Sequence, residues 1–362
     1  MKIGIIGCRG IPNHYGGFEQ FAEFLALGLH KLGVEVWVYN SHHHPFQGSL
    51  WNNIHIIHCF DPEDRIGTAG QFIYDLNCIL DARKRNFDYI LQLGYTSSSV
   101  WHRLLPKKPT IITNMDGLEW KRSKYSPLVR KFLKYAEKLA VQSSDNLVAD
   151  STAIADYLKT AYNKESVFIP YGAEIFDNPE ATFLTEFNVK PEKYFLLIAR
   201  LQPDNHIEEI IKGVINSGTD LPLLVVGNFK NKFGKYLAEK YESPIIRFCG
   251  SIFDQKILDN LRFFSALYFH GHSAGGTNPS LLEAMAASSV ICAHNNPFNR
   301  SVLGENGFYF DDETDISSLI NQENYREAKR IFGPVNLKVI ENHYSWDKII
   351  SAYHQLFIEK RK

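Results

Sequence analysis

Short apolar runs, each closed by a glycine or a small polar cluster and followed by a stretch with helical spacing, recur along the whole chain. That alternation leaves few architectures open, because parallel strands buried on both faces need crossover helices between them. The runs fall at residues 2–6, 34–39, 54–59, 89–93 and 110–114, then at 193–199, 223–226, 245–250, 266–269 and 289–293. Helical spacing fills stretches such as 18–32 and 70–85. Between the two series lies the polar, irregular stretch 173–191 with Asp177-Asn-Pro-Glu180. The pattern predicts two doubly wound, Rossmann-like α/β domains facing a cleft, residues 1–172 and 192–344. Residues 173–191 read as the linker, and 345–362 as a final amphipathic helix that returns to the first domain, with Ser345 as its cap. In such folds ligands sit beyond the carboxyl ends of the strands.

The most pointed strand-turn-helix unit is His270-Gly-His-Ser-Ala-Gly-Gly-Thr-Asn-Pro-Ser-Leu-Leu-Glu-Ala-Met-Ala286. Glycines admit a ligand close to the backbone, and a helix N-terminus offers N–H groups and partial positive charge. The segment therefore suits a phosphate or diphosphate, and equally serves as an ordinary turn. Glu283, one helical turn inside, is placed to accept hydrogen bonds from sugar hydroxyls.

In the first series the opening strand enters Gly7-Cys-Arg-Gly-Ile-Pro-Asn-His-Tyr-Gly-Gly17. These glycines do not spell G-x-G-x-x-G, and Asn40 rather than an acid ends the second strand, which disfavours a nicotinamide dinucleotide. A long glycine loop before a helix still favours an anionic or sugar ligand near Gly16 and Gly17. Later strand ends carry Gly94-Tyr-Thr-Ser97 and Asn114-Met-Asp-Gly-Leu-Glu-Trp120. Asp116 reads as a site carboxylate or as the cap of the next turn. Glu119 and Trp120 favour the site, as a carboxylate beside a flat apolar face on which sugars stack.

Three adjacent histidines, His42, His43 and His44, cannot all turn to one ion from an extended loop, so the run reads as solvated turn. Asp311-Asp-Glu313 reads as a helix entry rather than a metal-binding pair. Over residues 120–138, Lys121, Arg122, Lys124, Arg130, Lys131, Lys134 and Lys138 are interleaved with Tyr125, Leu128, Val129, Phe132, Leu133 and Tyr135. Such a segment can lie on anionic lipid or form an ordinary solvated helix face. Net charge of -1 argues against general nucleic-acid binding, and 44% hydrophobic with 22% charged residues is a soluble composition. The five cysteines are dispersed with no C-x-x-C, as for buried thiols of a reducing compartment. The first apolar run is too short for a signal peptide, and none approaches about 18 residues, so a cytoplasmic protein is expected, at most peripheral to a membrane.

Taken together these residues make the whole chain resemble the retaining GT-B glycosyltransferases of family 4. Arg200-Leu-Gln-Pro-Asp-Asn205 is similar to their Arg-x4-Lys element, and residues 275–283 are similar to their E-x7-E element. The resemblance is closer to the bacterial rhamnosyltransferases of capsule and cell-wall polysaccharide synthesis. It rests on Gly10-Ile-Pro-Asn-His-Tyr-Gly-Gly-Phe-Glu19, Asn114-Met-Asp-Gly-Leu-Glu-Trp-Lys-Arg122 and Gly275-Gly-Thr-Asn-Pro-Ser-Leu-Leu-Glu-Ala-Met285. Gly275 replaces the first Glu, Asn205 the Lys, and Met115 a His that in many relatives binds a hydroxymethyl oxygen of the donor.

The resemblance implies transfer of a 6-deoxyhexose, L-rhamnose from dTDP-β-L-rhamnose, onto a polyprenyl-diphosphate-linked saccharide at the inner membrane surface. It implies no cofactor beyond the nucleotide sugar and no metal, the leaving diphosphate being neutralised by a helix N-terminus and Arg200. Asp116, Glu119 and Arg200 would stand at the reacting centre. Gly16, Gly17, Met115, Arg200, Asn205, Gly275, Gly276, Thr277, Asn278, Ser280, Leu281 and Glu283 would hold the donor. Trp120, Lys121, Arg122, Lys124, Arg130, Lys131 and Lys134 would face membrane or acceptor. A hexosyltransferase using a UDP- or GDP-sugar, a donor-binding inactive partner of another transferase and a nucleotide-sugar epimerase remain as alternatives.

Overall fold

A computed structural model describes residues 1–122, 125–273 and 275–360. The chain divides into two compact units. One comprises Met1–Trp120, Tyr125–Tyr171 and the chain from Trp346 on; the other comprises Gly172–Ser345 with Lys121 and Arg122.

The first unit runs β1 (Lys2–Ile6), α1 (Gly17–Lys31), β2 (Glu35–Ser41), β3 (Leu50–Trp51), β4 (Ile54–Cys59), α2 (Glu63–Ile66), α3 (Gly70–Ala82), β5 (Tyr89–Leu93), β6 (Thr110–Asn114), α4 (Pro127–Ser143), β7 (Asn146–Ala149), α5 (Thr152–Tyr162) and β8 (Val167–Phe168). Its sheet has the order β3-β4-β2-β1-β5-β6-β7-β8. All pairs are parallel except β3 on β4. The strand order reverses between β1 and β5, where Ile3 lies opposite Tyr89. That switch point places the glycine loop after β1 beside Gly94 and Tyr95.

The second unit follows as β9 (Phe195–Ile198), α6 (Ile207–Asn216), β10 (Leu223–Val226), α7 (Lys232–Tyr241), β11 (Ile246–Gly250), α8 (Gln255–Phe264), β12 (Leu267–His270), α9 (Pro279–Ala286), β13 (Ile291–His294), α10 (Pro297–Leu303), β14 (Phe308–Phe310), α11 (Glu313–Gln322) and α12 (Tyr325–Val339). Its six parallel strands are ordered β11-β10-β9-β12-β13-β14, so the reversal falls between β9 and β12. Phe195, Leu197, Val225, Phe269 and Ile210 lie in the core between this sheet and its helices. Residues 172–191 pack in this unit, with a 3-10 stretch at Ala181–Phe187.

The last helix, α13 (Trp346–Glu359), belongs to the first unit. Trp346 stacks on Phe24 of α1 at 4.5 Å, Tyr353 meets Phe21, and Tyr89 donates its hydroxyl to the carbonyl of Phe357. Gly28 makes the approach of α1 to α13 feasible, since a Cβ there would stand 2.2 Å from the Ile350 side chain. All five cysteines are free thiols, Cys8, Cys59, Cys78 and Cys292 buried and Cys249 partly so. Asp312, expected at a helix entry, caps α11 by accepting from Thr314 and Asp315.

Candidate functional site

At the carboxyl edge of the second sheet, three loops are bonded to one another. After β9 the chain passes Arg200 and a 3-10 turn, Pro203–Asn205. Buried Asn205 donates Nδ2 to the Arg200 carbonyl at 2.7 Å, and Ser273, after β12, donates both N–H and Oγ to the Asp204 carbonyl at 3.2 and 2.8 Å. Asn296 and Asn299, after β13, each donate Nδ2 to the carbonyls of His272 and His294 at 2.9–3.1 Å. Arg200 itself is exposed on this edge. Arg122 lies in the same unit, 3.5 Å from a carboxylate oxygen of Asp204.

The glycine turn leads from this edge into α9. Gly275 has φ +132°, a backbone region that L side chains rarely adopt. Asn278 caps α9, its Oδ1 accepting the Ser280 N–H at 3.0 Å, while Pro279 has no N–H to offer. The Asn278 side chain thus serves the helix, and of this residue only the backbone could serve an anion. Ser280 Oγ lies 2.5 Å from the Tyr268 hydroxyl, and Leu281 is buried. Glu283 accepts a short hydrogen bond from Arg262, a buried guanidinium that also pairs with Asp259 at 2.9 Å. Burial holds the Asp259 carboxyl up at about 6.

Two histidines that sequence reasoning left without a role frame this turn. His270 and His272 stack at 4.5 Å, and neither ring nitrogen of buried His270 has a hydrogen-bond partner among the described residues. Burial, and then the charges of Arg200 and Arg122, press the His272 imidazole down to about 3, so it is neutral at physiological pH. A second stacked pair, His206 and His294 at 3.9 Å, bridges the loops after β9 and β13. The available signal was position: His270, His272 and His294 stand at strand ends beside the glycine turn.

In the first unit the loop after β1 is held rigidly. Asn40, fully buried, accepts the Ile11 N–H and donates to the Ile11 carbonyl at 3.1 and 2.8 Å. Glu19 and Glu23, one turn apart on α1, accept the backbone N–H groups of Arg9 and Asn13. Gly16 is the extended N-cap of α1 and Gly17 its first residue. Arg9 forms a two-pronged pair with Glu63 at 2.9 and 2.7 Å.

At the end of β6, Met115 is buried at 2% exposure, and Asp116 adopts a left-handed φ of +48° with its N–H on Asn114 Oδ1. Glu119 accepts from the Tyr125 hydroxyl at 3.4 Å. Trp120 turns inward: its indole N–H donates to Glu137 at 2.9 Å, as do the hydroxyls of Tyr157 and Tyr162 at 2.6 Å each. Lys134 binds the same carboxylate at 2.9 Å, its ammonium over the rings of Trp120, Tyr157 and Tyr162. The structure therefore gathers Trp120 and Lys134 into an internal cluster. Lys121 and Lys131 stay exposed, Arg122 and Arg130 are partly buried, and Lys124 lies outside the described residues.

The histidine run departs from a solvated turn. His44 is buried with its ring nitrogens 3.1 and 3.3 Å from the Pro12 and Phe46 carbonyls, and His42 Nδ1 accepts the Asp61 N–H. The neighbouring glycine loop meets the His44 ring through Pro12 and His14, which spacing along the chain does not reveal. Among the described residues no group of three or more His, Cys, Asp and Glu could hold a metal ion, and no helix is long and apolar enough to cross a membrane.

Residues 1–174 match the family model described as "Domain of unknown function (DUF1972)". No curated protein matches. Among solved structures, the chain is similar to a sucrose-phosphate synthase from Thermosynechococcus elongatus (TM-score 0.77, 15% identity, 99% of this chain and 98% of that one). It is similar to HepE of Anabaena in complex with UDP and glucose (TM-score 0.77, 14% identity, 99% and 100%). It is also similar to a trehalose 6-phosphate synthase from Burkholderia multivorans (TM-score 0.70, 10% identity, 99% and 96%). These likenesses show the fold: it is GT-B, with two parallel-sheet, Rossmann-like domains.

Proposed function

We propose that this GT-B chain is a retaining glycosyltransferase taking its sugar from a nucleoside diphosphate donor. The observation that carries the reading is the bonded edge of the second sheet, where the Gly275 turn, the α9 N-terminus and exposed Arg200 converge at a topological switch point. The backbone N–H groups at the α9 tip and Arg200 would take the diphosphate, offsetting the charge that grows on the leaving group. Glu283, oriented by Arg262, would take the ribose hydroxyls. Asp116 and Glu119 would stand at the acceptor or donor ring.

The donor sugar we propose is L-rhamnose, carried on dTDP, and the acceptor a saccharide on a polyprenyl diphosphate at the cytoplasmic face of the membrane. Buried Met115, where many family 4 transferases have a His, offers a 6-deoxy methyl group an apolar contact and a hydroxymethyl group nothing to bond. A UDP-sugar is the second reading, supported by the similarity to HepE, solved in complex with UDP-glucose.

Thermal unfolding with dTDP, UDP and GDP in turn separates these. A nucleotide at about 100 times its Kd adds roughly 2.7 kcal/mol and should raise the midpoint by about 5–10 °C. A shift with dTDP alone is expected, followed by turnover of dTDP-rhamnose. A shift confined to UDP or GDP removes rhamnose and keeps the transferase. No shift with any of them removes the nucleotide-sugar donor from the reading.

A further inference from the structure

Much of the cationic charge that the sequence lends to residues 120–138 is used internally, with Lys134 on Glu137 and Arg122 beside Asp204. What α4 turns outward is different. Leu128, Phe132 and Tyr135, spaced i, i+4, i+7 on one stripe, are 79%, 36% and 56% exposed. Exposed Lys131 and Lys138 flank the stripe. On its other side Phe132 meets Phe72 of α3 at 5.7 Å, and α3 presents a second apolar stripe of Ile73, Leu76 and Leu80.

The carboxylates of these two helices are all engaged. Asp75 is buried and accepts from Ser97 at 2.6 Å, Asp81 pairs with Arg85 at 3.0 Å, and Glu137 carries the internal cluster. The surface is thus apolar, aromatic and rimmed by lysine. Lysine is depleted where proteins meet proteins, whereas lysines around tyrosine, phenylalanine and leucine match the anionic headgroup boundary of a bilayer.

We infer that the α3–α4 face of the first unit docks on an anionic lipid surface, Leu128, Phe132 and Tyr135 entering the headgroup boundary while Lys131 and Lys138 pair with lipid phosphates. The first turns of α4 lie on the carboxyl-edge side of the sheet, because α4 follows β6 and precedes β7. Docking there would bring lipid to the side of the unit that carries Asp116 and Glu119. The inference deepens the lipid-linked acceptor reading and needs no particular donor.

The test is flotation of the full chain with vesicles of phosphatidylcholine alone or with about one third phosphatidylglycerol, at low and high salt. Binding to the anionic vesicles alone, weakened by salt, is expected. Lys131→Gln with Lys138→Gln should weaken it about fivefold per cation. Leu128→Ser with Phe132→Ser should weaken it at least tenfold. The nucleotide-induced thermal shift should be equal in all variants, so a variant that keeps the shift but loses flotation supports the lipid surface, whereas a wild type that shows the shift but does not float overturns the lipid surface alone. No flotation of the wild type at low salt, or equal flotation of wild type and both variants, overturns the inference. So does a change from dimer to monomer in the Leu128/Phe132 variant with no change in flotation, since the face would then belong to a second copy.

Discussion

Gly275 shows how one residue sets what a loop can offer. Its φ of +132° strains any side chain, although a Cβ there would meet no atom within 4 Å. The backbone here is suited to glycine, so Gly275→Glu should not improve nucleotide binding. We expect it to cost about 1–3 kcal/mol in stability and to shrink the nucleotide-induced thermal shift. Tighter nucleotide binding in isothermal titration would refute this. Asn205 is likewise committed, its Nδ2 holding the Arg200 carbonyl, so it shapes the loop that carries Arg200.

His272 adds a pH dependence. Its imidazole is held at about 3 when folded, against an ordinary value of 6.5. Between those values the unfolded chain binds the extra proton, so stability rises with pH and is lost on acidification below 6.5, by up to about 1.4 kcal/mol per pH unit. Asp75 opposes it: burial raises its carboxyl to about 7, so the folded chain holds the extra proton and this contribution fades as pH rises toward 7. His272→Asn should flatten the acid side of the stability profile, read from urea midpoints between about pH 4 and 6.5. An unchanged slope would show that His272 is not the group responsible. Strand-end position and glycine spacing marked Asp116, Gly275 and Glu283 as candidates in the sequence. Asn40 and Glu137 were not, because their partners lie 29 residues away for Asn40 and 17 to 25 away for Glu137.

At the scale of elements, apolar periodicity sufficed for most strands and helices: residues 54–59, 89–93, 110–114 and 223–226 are strands with the expected ends. Periodicity does not report partners, so it could not separate the inward cations of α4 from the outward ones, nor show which helix α13 meets. That docking is specific, with Phe21, Phe24 and Gly28 of α1 against Trp346, Ile350 and Tyr353. Residues 1–171 expressed alone should expose this aromatic face and aggregate or unfold at low temperature. The same piece joined to residues 345–360 should give a cooperative transition by circular dichroism. Equal behaviour of the two pieces would mean that α13 is dispensable to the first unit.

For the whole molecule, two parallel sheets with short crossovers follow from strand-helix alternation and connection rules. Strand order and the antiparallel β3 depend on tertiary packing and were not readable. The placement of α13 also orders events in time. A ribosome releases the first sheet before Trp346 and Phe357 exist to pack on Phe24 of α1 and accept from Tyr89, so this side of the unit waits on α13. The second unit, an uninterrupted stretch but for the short piece around Lys121 and Arg122, can mature in the interval. Synthesis therefore begins the first unit before the second yet completes it afterwards, and removal of α13 would strip packing partners from the first unit.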